Sequence, residues 1–207
     1  VKLYFTRHGK TEWNEQRRFQ GMNGDSPLLS SSFAQIRALG RHLQDVPFAA
    51  VYSSPSQRAR QTAQGIVSQW QNQIPIYYDA SLKEMGYGKL EGKSIDQMQE
   101  KYGKTLTNMR HHLDLYDASV FNGETVAAML ERMVKTITHT SEQYDAPVLF
   151  VGHGTSLTAA IQFLAGKDLP DLRKMGGLRN NSLSILETKG KKNPYELTLW
   201  NDTSFLP

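Results

Sequence analysis

Two histidines in this chain each follow a short apolar run and stand beside glycine, where a main chain turns sharply. His8 lies in KLYFTRHGKTEWN and His153 in VLFVGHGTSLTAA. Arg7 precedes the first, and Arg58 follows a third apolar run in VYSSPSQRARQTA. A neutral imidazole offers a lone pair near neutral pH, for attack or for taking a proton. Arginine keeps its charge and grips phosphate oxygens with two parallel N–H donors. Brought together, Arg7, His8, Arg58 and His153 would suit a phosphoryl group. Taken singly, a histidine between glycines is a common hydrogen-bonded turn residue, so the grouping carries the weight. A metal is the rival use of two histidines. No carboxylate stands at either turn and two arginines would repel a divalent ion, so no metal site is expected.

These residues meet only if the elements carrying them share an edge. Strand-like runs recur at Lys2–Thr6, Ala49–Ser53, Ile74–Tyr78, Val148–Val151, Ser184–Thr188 and Glu196–Trp200, with helical patterns between most of them. Ser31 to Gln44 carries Phe33, Ile36, Leu39 and Leu43 on one stripe, and Val126, Met129, Leu130, Met133, Val134 and Ile137 give a longer helix its apolar face. The alternation predicts a three-layer α/β/α domain. Its sheet is mostly parallel, of about six strands, with one edge strand antiparallel and the last two strands forming an antiparallel pair. Open sheets of this kind bind ligands at the carboxyl ends of their strands, which is where Arg7, His8 and His153 fall. Ser54, Pro55 and Gln57 spell a capping box that starts the next helix and puts Arg58 in its first turns, over the same edge. There the helix dipole already favours an anion. Arg60 points about 200° away around that helix and reads as a surface residue.

Phosphoryl transfer also needs an acid for the leaving oxygen. SLKEMGYGKLEG offers Glu84 and Glu91, and NGET offers Glu124. Glu84 follows a strand and leads, but Glu91 and Glu124 stay open. The stretch 85–122 shows no clear strand; it is either a lid inserted over a site or an ordinary pair of helices on the sheet.

Composition bounds the rest. The 207 residues fit one domain, 1–207, with 85–122 as the insertion, and 39% apolar residues suffice for a core. No apolar run reaches the roughly 20 residues of a membrane helix. The first residues enter a strand at once, so no signal peptide is expected. The absence of cysteine removes disulfides and thiol chemistry and fits a cytoplasmic address. The net charge of +4 is scattered, and the one dense run, Lys189 to Lys192, reads as a hairpin loop. No nucleic-acid partner is therefore expected; the partner would be a small phosphorylated metabolite, with monomer and homodimer both open.

As an ordered set, these motifs resemble the histidine phosphatase superfamily, the phosphoglycerate-mutase-like proteins. RHGKTEWN matches its Arg-His-Gly-x-Thr-x-x-Asn signature, and FQGMNGDSPL, YSSPSQRARQTA, LKEMGYGKLEG, NGET, VGHG and NNSLSIL follow in the family's order. The likeness spans nearly the whole chain. It implies His8 as the nucleophile that becomes phosphohistidine, and Arg7, Arg58 and His153 around the phosphoryl oxygens. Glu84 would be the proton donor, with Asn14, Gln20, Gly21 and the Gly154 amide as further substrate contacts. No cofactor is implied for the phosphatase branch. Three positions depart from the family pattern: Lys10 replaces an acid, Phe33 a helix glycine and Gly152 a serine, and Lys10 would raise the pocket's potential.

A metal-independent phosphatase is the favoured activity. A cofactor-dependent phosphoglycerate mutase is the alternative, and a non-catalytic phosphate-binding module stands behind both, because no catalytic group is missing. Mutases carry added basic residues in the insertion. Here it offers Arg110, His111 and His112, and its Lys89, Lys93, Lys101, Lys104 and Arg110 are balanced by Glu91, Asp96, Glu100, Asp114 and Asp117. The balance argues for release of phosphate to water. His8→Ala is expected to abolish turnover while the far-ultraviolet circular dichroism stays unchanged. A folded variant with substantial activity would remove His8 from the chemistry.

Overall fold

Apolar runs buried on both faces set the centre of the sheet. The computed structural model describes residues 1–190 and 192–207. Its helices and strands follow in the order β1 (Lys2–Arg7), α1 (Glu12–Glu15), α2 (Ser30–His42), β2 (Ala50–Ser53), α3 (Gln57–Val67), β3 (Ile76–Tyr78), α4 (Ile95–His111), α5 (Val126–Gln143), β4 (Val148–Gly152), α6 (Gly154–Leu164), β5 (Leu183–Lys189) and β6 (Lys192–Asp202). The six strands form one sheet in the order β3-β2-β4-β1-β5-β6. β1, β2, β3 and β4 pair in parallel, while β5 runs antiparallel to both β1 and β6. The strand that runs against the others is thus one in from the edge.

Side chains alternate across the two central strands, so each face of the sheet builds its own core. Leu3 and Phe5 of β1, with Val148 and Phe150 of β4, pack against Met129, Met133 and Ile137 of α5 and Leu157, Ile161 and Leu164 of α6. Tyr4, Leu149 and Val151 face the other way, onto Ile36 and Leu39 of α2 and Ala59, Ala63 and Ile66 of α3. The result is a three-layer α/β/α fold.

The departures from the sequence pattern have local causes. β3 begins at Ile76 because Pro75 has no N–H to give a ladder. Phe33 is 39% exposed and leaves the stripe that Ile36, Leu39 and Leu43 bury. It stands about 60° around the helix from Ile36, on the flank of the apolar arc. α3 starts at Gln57, with Ser56 as the cap residue and no side-chain capping bond, so the Ser54–Gln57 capping box does not form. Ser54 is still held to the sheet, its amide donating to the Val151 carbonyl at 3.0 Å. The Gln57 amide is capped from far away by Asp25 Oδ2, at 2.7 Å. Of the lysine run, Lys191 lies outside the described residues, while Lys189 ends β5 and pairs with Glu196 at 2.6 Å.

Residues 85–122 hold α4, which is kinked at Tyr102, between two single turns of 3-10 helix at Gly88–Leu90 and Ala118–Phe121. The segment buries Leu90, Leu106, Met109 and Phe121 in the same core as Phe5. Gly88 is required where the two turns meet. Its φ is +59°, and a Cβ there would lie 2.1 Å from the Phe121 carbonyl oxygen. Among the described residues no helix is long and apolar enough to cross a membrane.

Phe150 lies at the middle of this packing, fully buried and stacked on Phe5 with ring centroids 5.2 Å apart. Truncating a buried phenylalanine costs about 3–5 kcal/mol, from lost transfer energy and the cavity left behind. Phe150→Ala should lower the urea midpoint accordingly with an unchanged slope. A loss under about 1 kcal/mol would show that the two aromatic rings do not anchor the sheet.

Candidate active site

Parallel pairing of β1 with β4 aligns Arg7 with Gly152, so the two histidines that follow leave the sheet side by side. The His8 amide continues the ladder to the Gly152 carbonyl at 3.0 Å, and the rings of His8 and His153 lie 5.2 Å apart. Beyond β1, Asn181 donates its amide to the Arg7 carbonyl at 2.9 Å, and Asn180 Nδ2 donates to the His8 carbonyl at 2.9 Å. The backbone of His8 is therefore fixed from both neighbouring strands.

His8 Nδ1 stands 2.7 Å from the Gly9 carbonyl oxygen. A carbonyl can only accept, so Nδ1 carries the proton and Nε2 keeps its lone pair. Burial, followed by the charges of Arg58 and Arg7, holds the His8 pKa well below the ordinary histidine value. Burial likewise depresses His153, with Arg58, His8 and Arg7 adding to the effect. His153 Nε2 lies 2.8 Å from Ser54 Oγ. When Ser54 donates its hydroxyl proton to Nε2, the ring proton sits on Nδ1.

The two arginines are tethered at their tips. Arg58 is completely buried; Nη1 donates to the Gly24 carbonyl at 2.6 Å and to Asp25 Oδ1 at 3.0 Å, and Nη2 to the Gly21 carbonyl at 3.1 Å. Arg7 Nη1 donates to the Leu178 carbonyl at 2.8 Å, and its guanidinium lies against Gly154. A Cβ on Gly154 would meet Arg7 Cζ and Nε at 3.2 Å, so glycine makes room for the cation. Arg7 Nε, Arg58 Nε and His153 Nδ1 are buried and have no hydrogen-bond partner. A buried polar group left unpaired costs about 1–3 kcal/mol. Three of them, on groups close enough to shift the His8 and His153 titrations, form a donor set that an oxyanion would satisfy. The donors do not fit a cation: the cavity wall described below carries four guanidiniums against one carboxylate.

The three candidate acids separate clearly. Glu84 accepts the Met85 amide at 2.8 Å and the Ser156 amide at 2.9 Å on Oε1, and the Thr155 amide at 3.0 Å on Oε2. It is thus seated on the amino terminus of α6, one turn from His153, with its carboxylate in the cavity wall. Glu91 accepts the amides of Gly21 at 2.8 Å and Asn23 at 3.3 Å and so shapes the loop whose carbonyls hold Arg58. Glu124 pairs with Arg132 at 2.8 Å and takes the Gly86 amide.

A cavity of about 270 Å³ opens at this edge. Arg7, His8 and Glu84 line it with Asn14, Gln20 and Gly154, whereas Arg58 and His153 lie behind the wall. Asn14 Oδ1 accepts the Thr11 amide at 3.1 Å, closing a reciprocal cap on α1. The Gln20 side chain joins Thr11 and Ser26, and the Gly21 amide goes to Glu91, so both serve the loop first. Lys10 is exposed and outside the wall, as are His111 and His112. Arg60 lies on the surface over the Tyr78 ring, 4.4 Å from its centre.

Sequence reasoning misses several members. Arg18, Arg173 and Tyr87 line the cavity, and Asp25 and Asn180 hold Arg58 and His8 in place. Only the Asn-Asn pair before β5 carries a visible signal, as polar residues at a strand start. The charge balance expected of 85–122 does not carry over to the cavity. Of that segment's ten charged residues only Arg110 reaches the wall, where Arg7, Arg18 and Arg173 join it.

Known proteins share this arrangement from end to end. The profile of the Histidine phosphatase superfamily (branch 1) matches residues 3–203. A Bacillus subtilis protein that carries the name uncharacterized phosphatase PhoE is 29% identical over 187 residues, covering 90% of this chain and 88% of its own. The solved structure of Bacillus stearothermophilus YhfR superposes with a TM-score of 0.89 at 29% identity, covering 99% of this chain and 98% of that one. A Bacillus anthracis phosphoglycerate mutase structure gives 0.85 at 28% identity, covering 99% and 94%. The match takes in every strand end that supplies the cavity, and on it the chain belongs to the histidine phosphatase superfamily, branch 1.

Proposed function

We propose that this enzyme is a metal-independent phosphatase that hydrolyses small phosphorylated metabolites through a phosphohistidine on His8. The unpartnered Arg7 Nε, Arg58 Nε and His153 Nδ1 beside a neutral His8 are the observation that carries this reading. His8 Nε2 attacks phosphorus while the ester P–O bond breaks, and the buried donors offset the charge gathering on the equatorial oxygens. Glu84 passes a proton to the departing alkoxide. It then takes one from the water that attacks the phosphohistidine, the P–N bond breaks, and orthophosphate leaves. Residues 85–122 act as the lid that shapes the substrate's alcohol end, since Ile95, Gln99, Leu106, Met109 and Arg110 stand in the cavity wall.

Hydrolysis, rather than return of the phosphoryl group to substrate, is supported by the open mouth. Arg18, Arg110 and Gly177 on the cavity wall are solvent-exposed, which leaves a phosphohistidine within reach of water. The similarity to a protein named as a phosphatase agrees. A mutase reading draws on the cavity arginines and on the likeness to a protein named as a phosphoglycerate mutase.

Substrate turnover separates the two. Inorganic phosphate should appear in step with loss of 3-phosphoglycerate or a similar ester. Interconversion of the 2- and 3-phosphoglycerates, faster than phosphate release and dependent on a bisphosphoglycerate primer, would establish the mutase instead.

Glu84→Gln should slow esters of alkyl alcohols about 10²–10⁴-fold and spare para-nitrophenyl phosphate by comparison, because a good leaving group needs little protonation. Equal losses on both substrate types would take the acid role away from Glu84.

A further inference from the structure

Four arginines around a single carboxylate exceed what one phosphoryl group requires. Arg173 lies between α6 and β5, and Arg110 is on the last turn of α4. Arg173 Nη1 donates to the Met109 carbonyl at 3.2 Å and to Thr155 Oγ1 at 3.4 Å, which sets its guanidinium beside Arg110 in the cavity wall. Gly177 leaves space for it, since a Cβ there would lie 3.2 Å from Arg173 Nη2. Among the described residues no carboxylate lies within ion-pair distance of either arginine. Burial first, and then the charge of Arg110 among its neighbours, lowers the Arg173 pKa, which marks like charge held close without compensation. An anion in the cavity would relieve that repulsion and gain charge-assisted hydrogen bonds.

The rest of the wall is apolar, formed by Phe19, Ile95, Leu106, Met109 and Leu178. Its 270 Å³ is about the volume of nine bulk water molecules, which suits a compact metabolite. We infer that Arg173 and Arg110 form a second anion subsite that selects phosphate monoesters whose alcohol portion carries another negative group. This rests on His8 being the phosphoryl site. Carboxylate and phosphate share the chemistry an arginine pair recognises, so the second group is of either kind.

The test uses three esters on one three-carbon frame: glycerol 3-phosphate, 3-phosphoglycerate and glycerol 1,3-bisphosphate, with para-nitrophenyl phosphate as reference. The wild-type enzyme should prefer at least one of the two doubly anionic esters over glycerol 3-phosphate by tenfold or more in kcat/KM. Which of them it prefers identifies the second group. Arg173→Gln should reduce that preference about tenfold, mainly through KM, and Arg173→Lys should restore part of it. Arg110→Gln, at an exposed position that tolerates change, should act the same way if the first variant folds poorly. No preference in the wild type, or equal losses on all esters in the variants, would overturn the subsite and leave Arg173 as a support for Thr155. If para-nitrophenyl phosphate is not hydrolysed either, the phosphatase reading fails and the subsite falls with it.

Discussion

The parallel pairing of β1 with β4 is the constraint on which everything else rests. Its register sets Arg7 opposite Gly152 and extends one further bond, from the His8 amide to the Gly152 carbonyl. A slip of one residue would turn Phe5 and Phe150 to the wrong face and carry His8 past His153. The apolar cost of that slip therefore guards the geometry of the chemistry. Two fully buried strands specify their register strongly, and the site inherits that precision without needing contacts of its own to align the rings.

Burying two arginines beside two imidazoles would be ruinous without compensation. The chain supplies it mostly with neutral oxygen. Carbonyls of Gly21, Gly24 and Leu178 take the guanidinium tips, and Asp25 is the only carboxylate bonded to Arg58. Carbonyl dipoles lower the cost of the charge without cancelling it, so the positive potential survives to depress both histidines and to receive an anion. A full set of acidic partners would have stabilised the empty protein at the expense of binding. The ε-nitrogens left without partners mark where that compromise was struck.

Much of the site is legible in the sequence because its main groups sit at boundaries that composition announces. An apolar run ending in Arg-His-Gly or Gly-His-Gly reveals both a strand and its end. The choice among Glu84, Glu91 and Glu124 is not legible. All three are acids near glycine, and what separates them is the amides each faces across long sequence distances. Ser54 misleads for a related reason: its spacing to Gln57 fits a cap, but its hydroxyl is drawn to His153. Arg173 lies in a polar loop with no periodicity to betray its direction. The charge of 85–122 misleads because a sum along the chain is not the sum over the residues that share a cavity.

Two carboxylates outside the chemistry bind together parts of the chain that secondary structure would count as separate. Asp25 holds both the first amide of α3 and the Arg58 guanidinium, and Glu91 holds the amides of Gly21 and Asn23. The loop between those carboxylates, the start of α3 and the turn at Glu91 are thereby joined into one cooperative unit. Local fluctuation cannot release Arg58 alone; it must open all three segments in a single event. The phosphate cradle thus belongs to the slow-opening part of the molecule even though most of its backbone is loop.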